Sequence, residues 1–115
     1  MSVTIWHNPK CSTSRKVLET IRARGIEPNI VAYVDNPPAP SEIKAVLKAT
    51  GMTPRMLLRR NGTPYDELGL YDPSLSDEAL IEVMSKHSIL IERPVVTTEK
   101  GTRLCRPAER LDEIL

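Results

Sequence analysis

The chain has 115 residues, is 40% hydrophobic and carries a formal net charge of +1. That is long enough for one domain with a core and too apolar for a disordered chain. Near-neutral charge argues against nucleic acid or a membrane surface as partner, and no run approaches the roughly 18 apolar residues of a span. There is no Phe, one Trp and three Tyr, so the core must be aliphatic.

In chain order, Val3-Thr4-Ile5-Trp6 reads as a strand and His7-Asn8-Pro9-Lys10 as a turn. Residues 12–24 read as a helix with Val17, Leu18 and Ile21 on one face, stopped by Gly25. Ile30-Val31-Ala32-Tyr33-Val34 reads as a second apolar strand, buried on both faces if the sheet is covered twice. Strand, helix, strand at this spacing is a βαβ unit with parallel strands. The proline-rich stretch 36–40 is a connector. Helices are then expected over 41–50, after Thr53-Pro54, after Thr63-Pro64, and from Leu75-Ser76 to about Lys86. Residues 89–97 return to strand character. Glu99-Lys100-Gly101 reads as a hairpin turn before the strand Thr102-Arg103-Leu104-Cys105, and Pro107 opens a last helix.

Cys11 lies between the first strand and the first helix. There the unpaired N–H groups of the helix start, with Lys10, Arg15 and Lys16 nearby, favour a thiolate. A strand, a thiol and a helix in that order form the arrangement of thioredoxin and glutaredoxin folds. The chain is therefore expected to be α/β, a thioredoxin/glutaredoxin-like fold with a helical insert between its βαβ and ββα halves. It should form a single domain over 1–115, with the insert at about 39–88. The segment Cys11-Ser12-Thr13-Ser14 has serine where two-cysteine members carry a resolving cysteine. Any redox cycle through Cys11 therefore needs a second thiol from elsewhere. Cys105, set in an apolar strand, reads first as a buried structural thiol, with a resolving role as the alternative. Ser14 has two roles open, a hydrogen bond to the thiolate or a cap on the helix. His7 either holds the turn or tunes the thiolate. His7 and His87 have no metal-like spacing with either cysteine, so no metal is expected. Arginine supplies 10 of the 16 basic residues, and its fixed fork of donors suits oxyanions.

The run from His7 to Arg15 is similar to the N-terminal signature of the glutaredoxin-dependent arsenate reductase family. Tyr33-Val34-Asp35-Asn36-Pro37-Pro38, Leu57-Leu58-Arg59-Arg60-Asn61, Ile91-Glu92-Arg93-Pro94 and the segment Gly101 to Pro107 resemble further blocks of that family, in the same order. The resemblance implies that Cys11 is the nucleophile, that Arg59, Arg93 and Arg106 bind substrate, and that Pro94 is a cis-proline facing the cysteine. It also implies the reaction. Cys11 attacks arsenate and releases water, glutathione attacks the resulting ester, and glutaredoxin restores the cycle. The partners are then arsenate, glutathione and glutaredoxin, with no tightly bound cofactor, in the cytoplasm. A charge argument agrees, because attack of a thiolate on an oxyanion brings two anions together and guanidinium groups offset that repulsion. Two other readings share the fold. One is a redox-responsive transcriptional regulator of the Spx type, which usually carries a C-x-x-C switch and needs no oxyanion arginines. The other is a monothiol oxidoreductase with a different substrate.

Overall fold

A computed structural model describes residues 1–115. The chain divides into two compact units, one of residues 1–36 with 93–115 and one of residues 37–92.

The first unit holds the sheet. Strand β1 (Thr4–Trp6) leads to helix α1 (Ser12–Ala23) and strand β2 (Asn29–Val31). After the second unit come β3 (Val95–Thr98), β4 (Gly101–Leu104) and a 3-10 helix, Ala108–Glu113. Strand order is β2-β1-β3-β4. β1 pairs parallel with β2 and antiparallel with β3, placing Ile5 opposite Ile30 on one side and Val96 on the other. The fold is thus thioredoxin-like, with βαβ and ββ halves meeting at β1 and β3. Helix α1 forms because Val17, Leu18 and Ile21 recur on one face, and all three are buried. Gly25, at φ +78, ends it: its N–H donates to the Arg22 carbonyl and that of Ile26 to the Ile21 carbonyl. One cluster joins Val3, Ile5, Val17, Leu18 and Ile21 to Val96, Cys105, Leu111 and Ile114. Each fully buried aliphatic side chain in it contributes about 1.5–3 kcal/mol.

The second unit is helical: α2 (Pro40–Thr50), α3 (Pro54–Leu57), α4 (Asp77–Lys86) and a 3-10 helix, Ser88–Leu90. Pro40 opens α2, whose start is closed by the Glu42 carboxylate accepting from the Ala39 N–H at 2.9 Å. Ser76 caps α4 by accepting from the Ala79 N–H at 3.1 Å.

Four expected elements differ. β2 is not buried on both faces; it is one of the two edge strands, and Ile30 and Val34 are exposed. It stops at Val31 because the Ala32 carbonyl accepts from the Asp35 and Asn36 N–H groups in a turn. The stretch after Thr63-Pro64 is a series of turns. A single helix-like bond, Leu68 N–H to the Pro64 carbonyl, is cut off at Gly69, which takes φ +67. Residues 89–97 are not one strand. Leu90 and Ile91 donate to His87 and Ser88 in the 3-10 helix, and Ile91 makes an isolated bridge to Leu58. Pro94, which has no N–H to donate, precedes the start of β3. The last helix is 3-10, with the Arg110 N–H donating to Pro107 and that of Ile114 to Leu111.

Candidate active site

Residues 7–11 form a tight turn between β1 and α1. The Asn8 carbonyl accepts from the Cys11 N–H at 3.0 Å, and its side-chain oxygen accepts from the Lys10 N–H at 3.0 Å. Cys11 thereby becomes the residue just ahead of α1, in an extended conformation, and its thiol is partly exposed. Burial opposes its ionisation. The Ser14 amide, the Arg93 and Arg106 guanidiniums and the Thr13 amide favour the thiolate, and the balance holds the thiol below its ordinary value.

Arg93 and Arg106 reach this thiol from the β3–β4 side. Arg93 precedes Pro94 at the entry to β3, and Arg106 follows β4 and Cys105. The hairpin register, Val95 opposite Leu104, brings these two positions together although they are 13 residues apart. Both Arg93-Pro94 and Arg106-Pro107 are cis. Nη1 of Arg106 donates to Cys11 Sγ at 3.6 Å and to the Arg93 carbonyl at 3.2 Å. Arg93 is only 9% exposed, and its Nε and Nη1 have no hydrogen-bond partner. Leaving a buried donor unpaired costs about 1–3 kcal/mol, and more for a charged group. Two such donors beside the thiol can satisfy anionic oxygens.

Below the thiol lies a buried polar trio. Ser14 Oγ stands 2.6 Å from His7 Nδ1 and accepts from the Asn8 N–H at 3.1 Å. The Ser14 hydroxyl is thus engaged with the turn, while its amide serves the sulfur. His7 is held below its ordinary value by burial and by the charges of Arg22 and Arg15, so it is neutral near pH 7. A neutral ring protonated on Nε2 leaves Nδ1 to accept the Ser14 hydroxyl proton.

Arg59 belongs to the second unit. Its Nη1 donates to Glu92 Oε1 at 3.1 Å and its Nε to the Asn61 carbonyl at 3.0 Å. Both ion-pair partners are largely buried, with side chains 23% and 22% exposed. Sequence reading did not single out Glu92; the signal available was a carboxylate directly before Arg93.

Cys105 is fully buried in the apolar cluster. Burial, helped by the Glu113 carboxylate, outweighs the opposing charges of Arg110 and Arg103 and pushes its thiol up to about 12. No helix is long and apolar enough to cross a membrane.

Comparison with known proteins gives a consistent result. Residues 6–114 match the family model described as the ArsC family. An arsenate reductase of Rhizobium meliloti (strain 1021) is 54% identical over all of this chain and 82% of its own length. The arsenate reductase of Escherichia coli (strain K12) is 49% identical over 99% of this chain and 81% of its own. Among solved structures, an arsenate reductase from Vibrio cholerae superposes with a TM-score of 0.95 at 41% identity, covering 100% of this chain and 98% of that one.

Proposed function

The chain belongs to the ArsC family, and from that premise we propose that it is an arsenate reductase whose nucleophile is Cys11. The observation that carries the reading is the Arg93 guanidinium, buried beside the thiolate with Nε and Nη1 unpaired. Two oxygens of a tetrahedral arsenate would satisfy those donors and bring arsenic within reach of the sulfur. Arg106, already donating to Sγ, would follow the charge as it moves from sulfur to arsenate oxygen. The resemblance adds Arg59 as a third substrate guanidinium, held in a fixed orientation by Glu92. His7 and Ser14 tune the thiolate indirectly, by fixing the turn from which the Ser14 amide meets the sulfur.

Cys11 thiolate displaces one oxygen of arsenate as water, after protonation, and forms a sulfur–arsenic(V) bond. An external thiol then attacks this ester. By the end of the cycle two thiols have lost two electrons and become a disulfide, and arsenic has passed from the pentavalent to the trivalent state as arsenite. Ser14 cannot be one of those thiols, and Cys105 is buried and protonated far above neutral pH. We assign the external role to glutathione, with glutaredoxin returning Cys11 to its free form and no tightly bound cofactor. This chemistry belongs in the cytoplasm, where small thiols keep cysteines reduced. A monothiol site with an oxyanion seat also sets this reading above a disulfide-switch regulator.

The test is a coupled assay with glutathione, glutaredoxin, glutathione reductase and NADPH. Arsenate-dependent NADPH oxidation with arsenite as product is expected, and omission of glutathione should stop it. Absence of arsenite in the complete system would overturn the assignment.

A further inference from the structure

The arsenate seat leaves an adjoining feature unused. A cleft of about 490 Å³ is lined by Ser12, Thr13, Lys16, Arg106, Pro107 and Glu109. It adjoins the thiol, because it shares two of the sulfur's donors: Arg106 on its wall donates to Cys11 Sγ, and Thr13 supplies one of the amides at the sulfur. That volume far exceeds a tetrahedral oxyanion. Lys16 lies one turn beyond Thr13 on the same face of α1, and its Nζ stands 3.9 Å from Glu109 Oε1. The two side chains are 66% and 70% exposed, so this is a loose pair that a ligand's own charges can replace. A smaller cavity of about 130 Å³ shares Lys16 and Glu109 and continues the cleft away from the cysteine.

We propose that this cleft is the subsite for the external thiol, and that it takes a small zwitterionic thiol with its carboxylate on Lys16 and its ammonium on Glu109. The inference rests on Cys11 being the monothiol nucleophile of the proposed cycle. A cation and an anion side by side at one end, with a reactive sulfur at the other, match a peptide-sized thiol bearing both charges. They do not match a purely anionic or apolar one. The incoming sulfur enters between Arg106 and the start of α1, where the thiolate it replaces or joins is already stabilised.

Glutathione disulfide is the probe, with no arsenate present. Cys11 thiolate attacks one sulfur of the probe, a new disulfide forms on Cys11, and glutathione leaves as thiolate. The adduct rate is read by mass spectrometry and divided by the rate with neutral hydroxyethyl disulfide, which cancels any change in thiolate reactivity. The unmodified protein should prefer glutathione disulfide. The preference should fall about fivefold in Lys16→Glu, the span of one exposed ion pair, and Lys16→Arg should retain it. Glu109→Lys is the decisive variant. A docked ammonium predicts that the preference falls, whereas simple attraction of a net anion to added positive charge predicts that it rises, which would overturn the zwitterion assignment. No preference in the unmodified protein would overturn the small-thiol occupant and leave a protein thiol in its place. Because arsenate is absent, failure here leaves the arsenate reading standing, and failure of the arsenate assay leaves this one standing.

Discussion

Cys11 stands ahead of α1 with two amides and two guanidiniums turned toward its sulfur, whereas Cys105 follows β4 inside an apolar cluster. The two thiols share one unit of the fold, and their acidities move in opposite directions. Burial opposes ionisation of both, so burial alone does not separate them. The separation comes from donors aimed at the sulfur, which Cys11 has in four places. Cys105 has charges near it but its own S–H only faces the Arg103 carbonyl, at 3.8 Å. The difference in acidity between the two thiols therefore follows from where the helix and the hairpin direct their N–H groups.

Exchanging the two cysteines one at a time is the most severe test of that contrast. Cys11→Ser should reduce arsenate-dependent NADPH oxidation to background, because no other group supplies the nucleophile. Cys105→Ala should keep the rate and instead lower stability by about 1 kcal/mol through the small cavity it leaves. Iodoacetamide at neutral pH, followed by peptide mapping, should label Cys11 and spare Cys105 in the folded protein. Equal labelling of both would remove the basis of the comparison.

The donors themselves come next. Arg93→Ala and Arg106→Ala should each cost about 100-fold in rate, the usual effect of losing a donor at developing charge. Arg93→Lys should recover part of it, since the charge remains but the fork is lost. Arg59→Ala should join them if the third guanidinium works as the resemblance implies. Arg24→Ala, which removes an exposed pair with Asp112, serves as the control. Alanine variants at Arg59, Arg93 and Arg106 that all reduce arsenate as well as the control would refute the oxyanion seat.

How far the sequence foretold this depends on the range of the interaction. The βαβ start and α1 were legible because the apolar spacing of Val17, Leu18 and Ile21 and the stop at Gly25 are local signals. The edge position of β2 was not, since an apolar run such as Ile30–Val34 does not reveal which neighbour is missing. Thr63-Pro64 resembled a helix start, yet Gly69 ended the structure after one turn. At the site, the thiol and its helix could be read directly. The meeting of Arg93 and Arg106 depends on hairpin register, and their place around Cys11 was implied only by resemblance. Glu92 behind Arg59 and the pair Lys16–Glu109 went unseen, because single charges on a sequence look like solvated surface.

Ser14 offers a milder way to sharpen the contrast. Its hydroxyl ties His7 to the Asn8 amide, and Ser14→Ala would leave both buried groups short of a partner. One lost buried hydrogen bond is worth about tenfold in rate if it acts through the turn. The pH profile should move with it: the apparent acidity of Cys11, followed by alkylation rate, should shift toward the ordinary thiol value. A slower enzyme with an unshifted profile would mean that Ser14 supports the fold and not the thiolate.

Alkaline stability provides a separate contrast, in which the two cysteines should act with opposite sign. The Cys105 thiol is raised from 9.0 to about 12 in the folded protein. Above pH 9 the unfolded chain loses that proton while the folded chain keeps it. The unfolded state then binds fewer protons, so stability falls as pH rises from 9 toward 12. Cys11 is lowered from 9.0. Between its folded value and 9.0 the folded chain is already ionised and the unfolded chain is not, so stability rises with pH there and levels off above 9. Urea titrations of the unmodified protein, Cys11→Ser and Cys105→Ala across pH 6 to 11 separate the two. Cys105→Ala should be less stable at neutral pH yet lose less on going above pH 9. Cys11→Ser should lack the gain below pH 9 and retain the loss above it. Parallel curves for all three proteins would show that neither thiol changes its proton affinity on folding, and the contrast between the two environments would then rest on access alone.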